Sequence, residues 1–591
     1  MPLIPSKLSF LLLPLLLAVS APADPEVETN AKTMAPSMRK DTRPSLAVIV
    51  VVDGLSTEQL LKYRPWYVAG LKRLLDEGHV ETKNRYRHIN TETGPGHASL
   101  GTGAPPRVSG IVANTWFEAA SAGKGLKPVY CTDSPEPDPS TGRAVPGPFR
   151  LQVDSLGDRL LATSPLSRVF SVSAKDRSAI FMAGRSKSHA AFWFDRATRR
   201  FATSSAYAPA GDARAVVGRF NETSMGDQIG KRFGGEWHKL SLPDGSDKLP
   251  RATPAAALVD YQLPINGLLF PHAYRLNPRG LGEAYYDSPV VDELVGDLAV
   301  SFLEDPEIRL GKRGVTDLLA VSFSAHDLVS HYYGPESEET LDVLRRVDAQ
   351  IARLFNALDR LLPGKVVLGF SADHGFSPIP EAARTRDRSA EGGRLVTSPR
   401  MLNNFPDKAN RMLRDELCLA PGPHAVQLSD GWIVSYTPGV ERVEGRCGPA
   451  RPITKADVDQ VLPRVMASLY TEEIQEIRLN SQMASWPKDD LTTMILNDFY
   501  PGRSGDAFIV PRRRVIQHWD PGRGSGHGSA HDYDTNVPLI FWGKGFKATS
   551  SDADDASPYD LAVTLGDAVG VSLPDATGKS RLPRPAQAPR F

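Results

Sequence analysis

The sequence predicts an α/β fold: a mainly parallel central sheet flanked by helices, interrupted by cap insertions. Three observations carry that reading. Continuous apolar, β-branched runs recur along the chain, the pattern of strands buried on both faces. Helical periodicities lie between them. Acidic residues and histidines stand just past several of the runs, where open α/β sheets place their ligands.

In chain order, Lys7, the apolar run Leu8 to Val19 broken by Pro14, and small residues ending in Ala21-Pro22-Ala23 read as a secretory signal peptide over 1–23. The run is too short to cross a bilayer core of about 30 Å, and Ala-x-Ala offers a cleavage site before Asp24. No other segment is long and apolar enough, so no membrane span is expected after cleavage, and a periplasmic or secreted location follows. Residues 24–43 are polar and aperiodic, a flexible leader. The first core strand is Leu46 to Val52, ended by Asp53-Gly54. Similar runs are Leu318 to Phe323, Val366 to Ser371 and Val537 to Phe541. Leu341, Leu344, Val347, Ile351, Leu354 and Leu358 define an amphipathic helix over about 338–362. From 44 to 591 a single domain is expected, with cap insertions at about 190–290 and 376–515, because core-type strands resume after each.

Composition excludes some functions. The 591 residues carry 69 basic and 69 acidic side chains, so no basic excess points to a nucleic-acid-binding module. Of three cysteines, Cys418 and Cys447 can pair in an oxidising compartment, leaving Cys131; none has metal-binding spacing.

The chemistry centres on Thr91-Glu92-Thr93-Gly94-Pro95-Gly96-His97. Thr93 is expected on the first turn of a helix, with Pro95 at a first helical position and glycines 94 and 96 leaving the backbone open to an anion. Thr91 and Thr102 are the alternative hydroxyls. Asp53, Asp373-His374 and His527 lie near strand ends, and Asp327 with His331 share one helical face at four-residue spacing. Three aspartates and three histidines form a donor set sized for two zinc ions. Lys175 and Arg177, two apart, are expected to point to one side of an extended segment.

These motifs, with Val52-Asp53-Gly54, Gly110-Ile111-Val112-Ala113-Asn114, Asp373-His374-Gly375 and Gly526-His527-Gly528, resemble the alkaline phosphatase superfamily, and within it the phosphate-irrepressible alkaline phosphatases of bacterial periplasms. The resemblance covers about Leu46 to Leu573. It implies an alkaline-phosphatase-like fold and two Zn2+ ions, one held by Asp53, Asp373, His374 and Thr93, the other by Asp327, His331 and His527. It further implies Thr93 as nucleophile, Asn114 on a phosphate oxygen, and Lys175 and Arg177 on the terminal oxygens of a phosphomonoester. The implied activity is hydrolysis of small phosphate monoesters through a phosphothreonine. A nucleotide pyrophosphatase/phosphodiesterase of the same superfamily and a non-catalytic phosphate-binding protein are the alternatives. The sulfatase branch is disfavoured, since Thr93 stands where its modified cysteine or serine would be. Oligomeric state stays open.

Overall fold

The computed structural model describes residues 43–120, 125–241, 269–398, 404–519 and 523–583. The expected signal peptide and leader lie outside the described residues, apart from Arg43. From Arg43 onward the chain forms one compact unit.

At its centre is a nine-stranded sheet. In chain order its strands are β1 (Leu46–Val52), β2 (His79–Glu81), β3 (Val169–Ser173), β4 (Ala190–Asp195), β5 (Arg200–Ala202), β6 (Asp317–Phe323), β7 (Val366–Ser371), β8 (Leu539–Gly543) and β9 (Thr549–Ser551). Across the sheet the order is β9-β2-β8-β7-β1-β6-β3-β4-β5. The five strands from β7 to β4 run parallel. β8 pairs antiparallel with β7, and β5 antiparallel with β4.

Every residue of β1 is buried, as its unbroken apolar run requires. Leu46, Val48, Val50 and Val52 enter one core layer, and Ala47, Ile49 and Val51 the other. That alternation is the two-residue period of a strand with a packed layer on each face. The strand expected at Val537 begins instead at Leu539. Pro538 has no amide hydrogen to give the ladder, and its carbonyl accepts from Ser371 Oγ at 2.7 Å. β3 and β4 were not among the expected strands, and β4 and β5 fall within the first expected insertion. Serines at 171 and 173 break the apolar run of β3, yet the strand is buried throughout.

Five helices matter to the site: α1 (Thr93–Thr102), α2 (Asp176–Ala183), α3 (Pro289–Glu304), α4 (Ala325–Tyr333) and α5 (Glu338–Leu361). Ser337 caps α5 by accepting from Thr340 N, and the expected leucine-rich stripe is its buried face. Asp292 of α3 accepts from Ser324 N at 2.7 Å and Ala325 N at 3.0 Å, which fixes the start of α4. The second insertion holds its own core around Phe405, Leu413, Trp432, Leu462 and Ile509. Its strands Val426–Leu428, Ile433–Tyr436, Ala507–Pro511 and Ile474–Leu479 make a separate four-stranded sheet. Cys418 and Cys447 are disulfide-bonded there, while Cys131 is a buried free thiol.

Candidate active site and metal centre

The parallel strands deliver the functional side chains at their carboxyl ends. Asp53 follows β1, Lys175 follows β3, Asp327 and His331 lie on α4 after β6, and Asp373-His374 follow β7. β6 and β7 flank β1 on opposite sides, so the aspartates from three adjacent strands converge. The loop before β8 adds His527, and α1 adds Thr93.

Close approach explains two glycines. A Cβ on Gly96 would lie 2.2 Å from the Asp373 carbonyl oxygen, so only glycine lets α1 rest on the β7 loop. Gly54 has φ +76° and sits against Asp327, a conformation that favours glycine. Gly96 thus serves packing and not the anion access expected of it. Pro95 is the third residue of α1, two positions later than expected; Thr93 is the first.

Asp53, Asp373, His374 and His97 are fully buried. The ligand atoms of Asp327, His374 and His527 all lie within 4.8 Å of one another, as do those of Asp53, His97 and Asp373. His331 Nε2 is 3.5 Å from Asp327 Oδ1. His374 Nε2 lies between the two groups, 3.5 Å from Asp53 Oδ1 and from Asp373 Oδ2 and 4.0 Å from Asp327 Oδ1. Its ring stacks on His527 at 3.6 Å.

All three expected histidine ligands share one orientation. Nδ1 donates to a backbone carbonyl: His331 to Ser525 at 3.1 Å, His374 to Gly375 at 2.9 Å, His527 to Thr91 at 2.9 Å. That leaves each Nε2 as a lone-pair donor turned toward the carboxylates. Burial lowers the pKa of all three, helped by Arg523 at His331 and by His374 at His527, where it falls to about 3. Neutral imidazoles are what a metal needs.

The carboxylates show the complementary strain. Burial and then Asp373 push Asp53 well above the carboxylate range, and Lys175 only partly offsets them. Burial opposes ionisation of Asp327 too, but Lys175 and the three imidazoles hold it well below. Asp53 Oδ1, Asp327 Oδ1 and His374 Nε2 are buried without a hydrogen-bond partner. Buried polar atoms seldom stay orphaned. A cation fits this set: oxygen and imidazole donors, inward-facing lone pairs and excess negative charge.

The cleft above, about 390 Å³, is lined among others by Thr93, Asn114, Lys175, Arg177, Asp327, His331 and His527. Lys175 Nζ lies 3.2 Å and Arg177 Nη2 3.3 Å from Thr93 Oγ1. The expected extended segment is instead a strand end running into α2, with Lys175 as the residue before the helix. Both side chains still converge, because the first turn of α2 faces the start of α1. Lys175 also bridges Asp53 Oδ2 at 2.7 Å and Asp327 Oδ2 at 2.6 Å. Asn114 Oδ1 accepts from Gly94 N at 2.8 Å, which leaves its amide hydrogens as what it offers a ligand.

Three supports had no assigned role in the sequence. His97 donates to Thr93 O at 3.0 Å, lies 3.1 Å from Asp373 Oδ2 and meets Ser322 Oγ at 2.8 Å. Glu92 Oε2 accepts from Asn114 N at 2.7 Å. Tyr130 accepts from Arg177 Nη1 at 3.0 Å and donates to Asp176 at 2.8 Å, while Thr132 holds the other Asp176 oxygen at 3.1 Å. Only the four-residue step from Thr93 to His97, which stacks them on one helix face, carried a signal.

A profile of the type I phosphodiesterase / nucleotide pyrophosphatase family matches residues 47–534. Alkaline phosphatase PhoK of Sphingomonas sp is 28% identical over 522 residues, 86% of this chain and 85% of that protein. Alkaline phosphatase PhoD of Zymomonas mobilis is 30% identical over 504 residues, 84% and 80% of the two. The crystal structure of wild-type alkaline phosphatase PafA superposes with a TM-score of 0.75 at 24% identity, covering 91% of this chain and 98% of that one. The last likeness shows that the α/β architecture is shared.

Proposed function

The chain belongs to the type I phosphodiesterase / nucleotide pyrophosphatase family, with the alkaline phosphatases as its relatives along most of its length, and from that premise we propose that it is a zinc-dependent phosphomonoesterase working through a phosphothreonine at Thr93. The observation that carries this reading is the convergence of Lys175 and Arg177 on Thr93 Oγ1, at 3.2 and 3.3 Å.

Asp53, Asp373, His374 and Thr93 would hold one zinc, and Asp327, His331 and His527 the other. Bound zinc lowers the pKa of a hydroxyl and stabilises a developing alkoxide. Thr93 Oγ attacks phosphorus, its bond forms as the ester oxygen leaves with a proton, and phosphothreonine results. Lys175, Arg177 and the Asn114 amide hold the phosphoryl oxygens, where charge-assisted contacts are strongest. The N-terminus of α1 adds its positive dipole end beneath them. Water entering from the leaving-group side then cleaves the Thr93 ester and frees phosphate.

Charge supports the monoester. Two zinc ions would be balanced by Asp53, Asp327, Asp373 and a Thr93 alkoxide, which would leave Lys175 and Arg177 as the surplus that a dianion matches better than a monoanion. The deciding experiment compares kcat/KM for a phosphomonoester and a phosphodiester with one leaving group. We expect the monoester to lead by about a hundredfold, two charged contacts being worth roughly 1.5–3 kcal/mol each and partly lost in the diester. The reverse order makes the chain a phosphodiesterase; no turnover of either makes it a phosphate-binding protein.

Chelation should abolish activity, and zinc should restore it at about two equivalents per chain by elemental analysis. Full activity with magnesium alone would overturn the ligand assignment, because imidazole-rich sites suit zinc. A periplasmic or secreted location is proposed as well, supported by the Cys418–Cys447 disulfide. Among the described residues no helix is long and apolar enough to cross a membrane.

A further inference from the structure

We propose that the outer cleft receives a planar aromatic leaving group, stacked on the indole of Trp519; the proposal rests on the phosphatase reading and names the class of ester. Thr93, Lys175 and Arg177 mark the phosphoryl end. In-line displacement puts the leaving group opposite Thr93, toward Asp327, His331 and His527. Trp519 stands at that end, its ring 6.4 Å from the His331 ring and at 77° to it.

A lone exposed tryptophan would by itself mean little. This one lines the cleft and is held in place. The Arg523 guanidinium lies over its ring, 4.1 Å from the centroid, and over that of the buried Tyr332, 5.3 Å from the centroid, so one cation holds to both rings. One indole face is thereby occupied. Trp519 nonetheless remains 47% exposed, which leaves the rest of the ring to the cleft. Leu328 and Tyr286 contribute further apolar lining. Of the cleft's acidic groups, Asp327 is a proposed metal ligand paired with Lys175, Glu92 holds Asn114, and Asp430 bonds to Thr115. A partly exposed indole beside the departing oxygen offers a flat ring a stacking surface, and stacking needs no hydrogen-bond readout.

The probes are benzyl phosphate and cyclohexylmethyl phosphate, primary-alcohol esters of matched size of which one carries a flat π-system. In the wild-type enzyme kcat/KM should favour benzyl by about three- to tenfold, the share ring stacking adds beyond burial. Trp519→Leu should bring that ratio close to one, and Trp519→Phe should keep most of it. A wild-type ratio near one, or one that survives Trp519→Leu, overturns the proposal. Calorimetric binding of benzylphosphonate against cyclohexylmethylphosphonate reads the same preference without turnover. Failure to hydrolyse either ester would therefore count against the phosphatase reading alone, and the phosphonate ratio would still decide the stacking site.

Discussion

Thr93→Ala is expected to lower phosphomonoesterase kcat/KM by roughly four to six orders of magnitude, the scale on which hydrolases lose activity with their nucleophile. The hydroxyl meets both Lys175 and Arg177 at the start of α1. Its removal deletes only a methyl and a hydroxyl from a helix terminus whose backbone contacts come from Gly96 and His97, so thermal unfolding should shift little. Brief reaction at low pH followed by peptide mapping should place phosphate on Thr93. Label on Thr91 or Thr102 would sink the assignment. Thr91 Oγ1 already donates to Ser529 O at 2.9 Å and Thr102 Oγ1 to Ala98 O at 2.7 Å, so both hydroxyls are spent on the fold.

The double change Lys175→Ala with Arg177→Ala should reduce monoesterase activity by about a thousandfold if the two contacts act independently, and diesterase activity far less. Geometry separates the two residues. Lys175 also ties Asp53 to Asp327, so its loss disturbs the carboxylates that would hold metal. Arg177 bonds to Thr93 and to Tyr130, and approaches Asp176 no closer than 4.0 Å. Arg177→Ala alone should therefore cost about ten- to a hundredfold on monoesters with zinc content unchanged. Equal losses on mono- and diesters would show that the pair supports the site in general and would favour the diesterase reading.

Much of this arrangement was legible where local rules apply. Leu46–Val52 and Val366–Ser371 announce themselves because burial on both faces leaves no polar alternation. Asp327 and His331 follow from helical periodicity. β3 was invisible because Ser171 and Ser173 dilute its apolar run, and its pairing with β6 across 149 residues, as in Leu318 with Val169, leaves no local trace. The supports of the site were missed for the same reason. Nothing near Arg177 predicts that Tyr130 receives one of its amines, and nothing near Asn114 predicts that Glu92 holds its backbone. Such contacts are settled by packing among distant segments. Lys175 and Arg177 illustrate the middle case: the two side chains do converge, but a helix start and not an extended segment brings them together.

The order in which the strands deliver their side chains has a consequence for synthesis. His527 enters the site from a loop that precedes β8, and β8 pairs with β7, whose loop carries Asp373 and His374. A nascent chain halted before that point lacks a histidine and leaves one edge of β7 unpaired beside the pocket. Contacts linking Gly54 to Asp373 and Thr91 to His527 span hundreds of residues, and such long closures form late in folding. No chain that stops short of His527 holds the full set of site residues, so hydrolytic competence requires synthesis through β8 and reads out the closure of these distant segments. Chain truncation between Val515 and Pro538 should thus yield an inert protein even where the second insertion's own core remains intact.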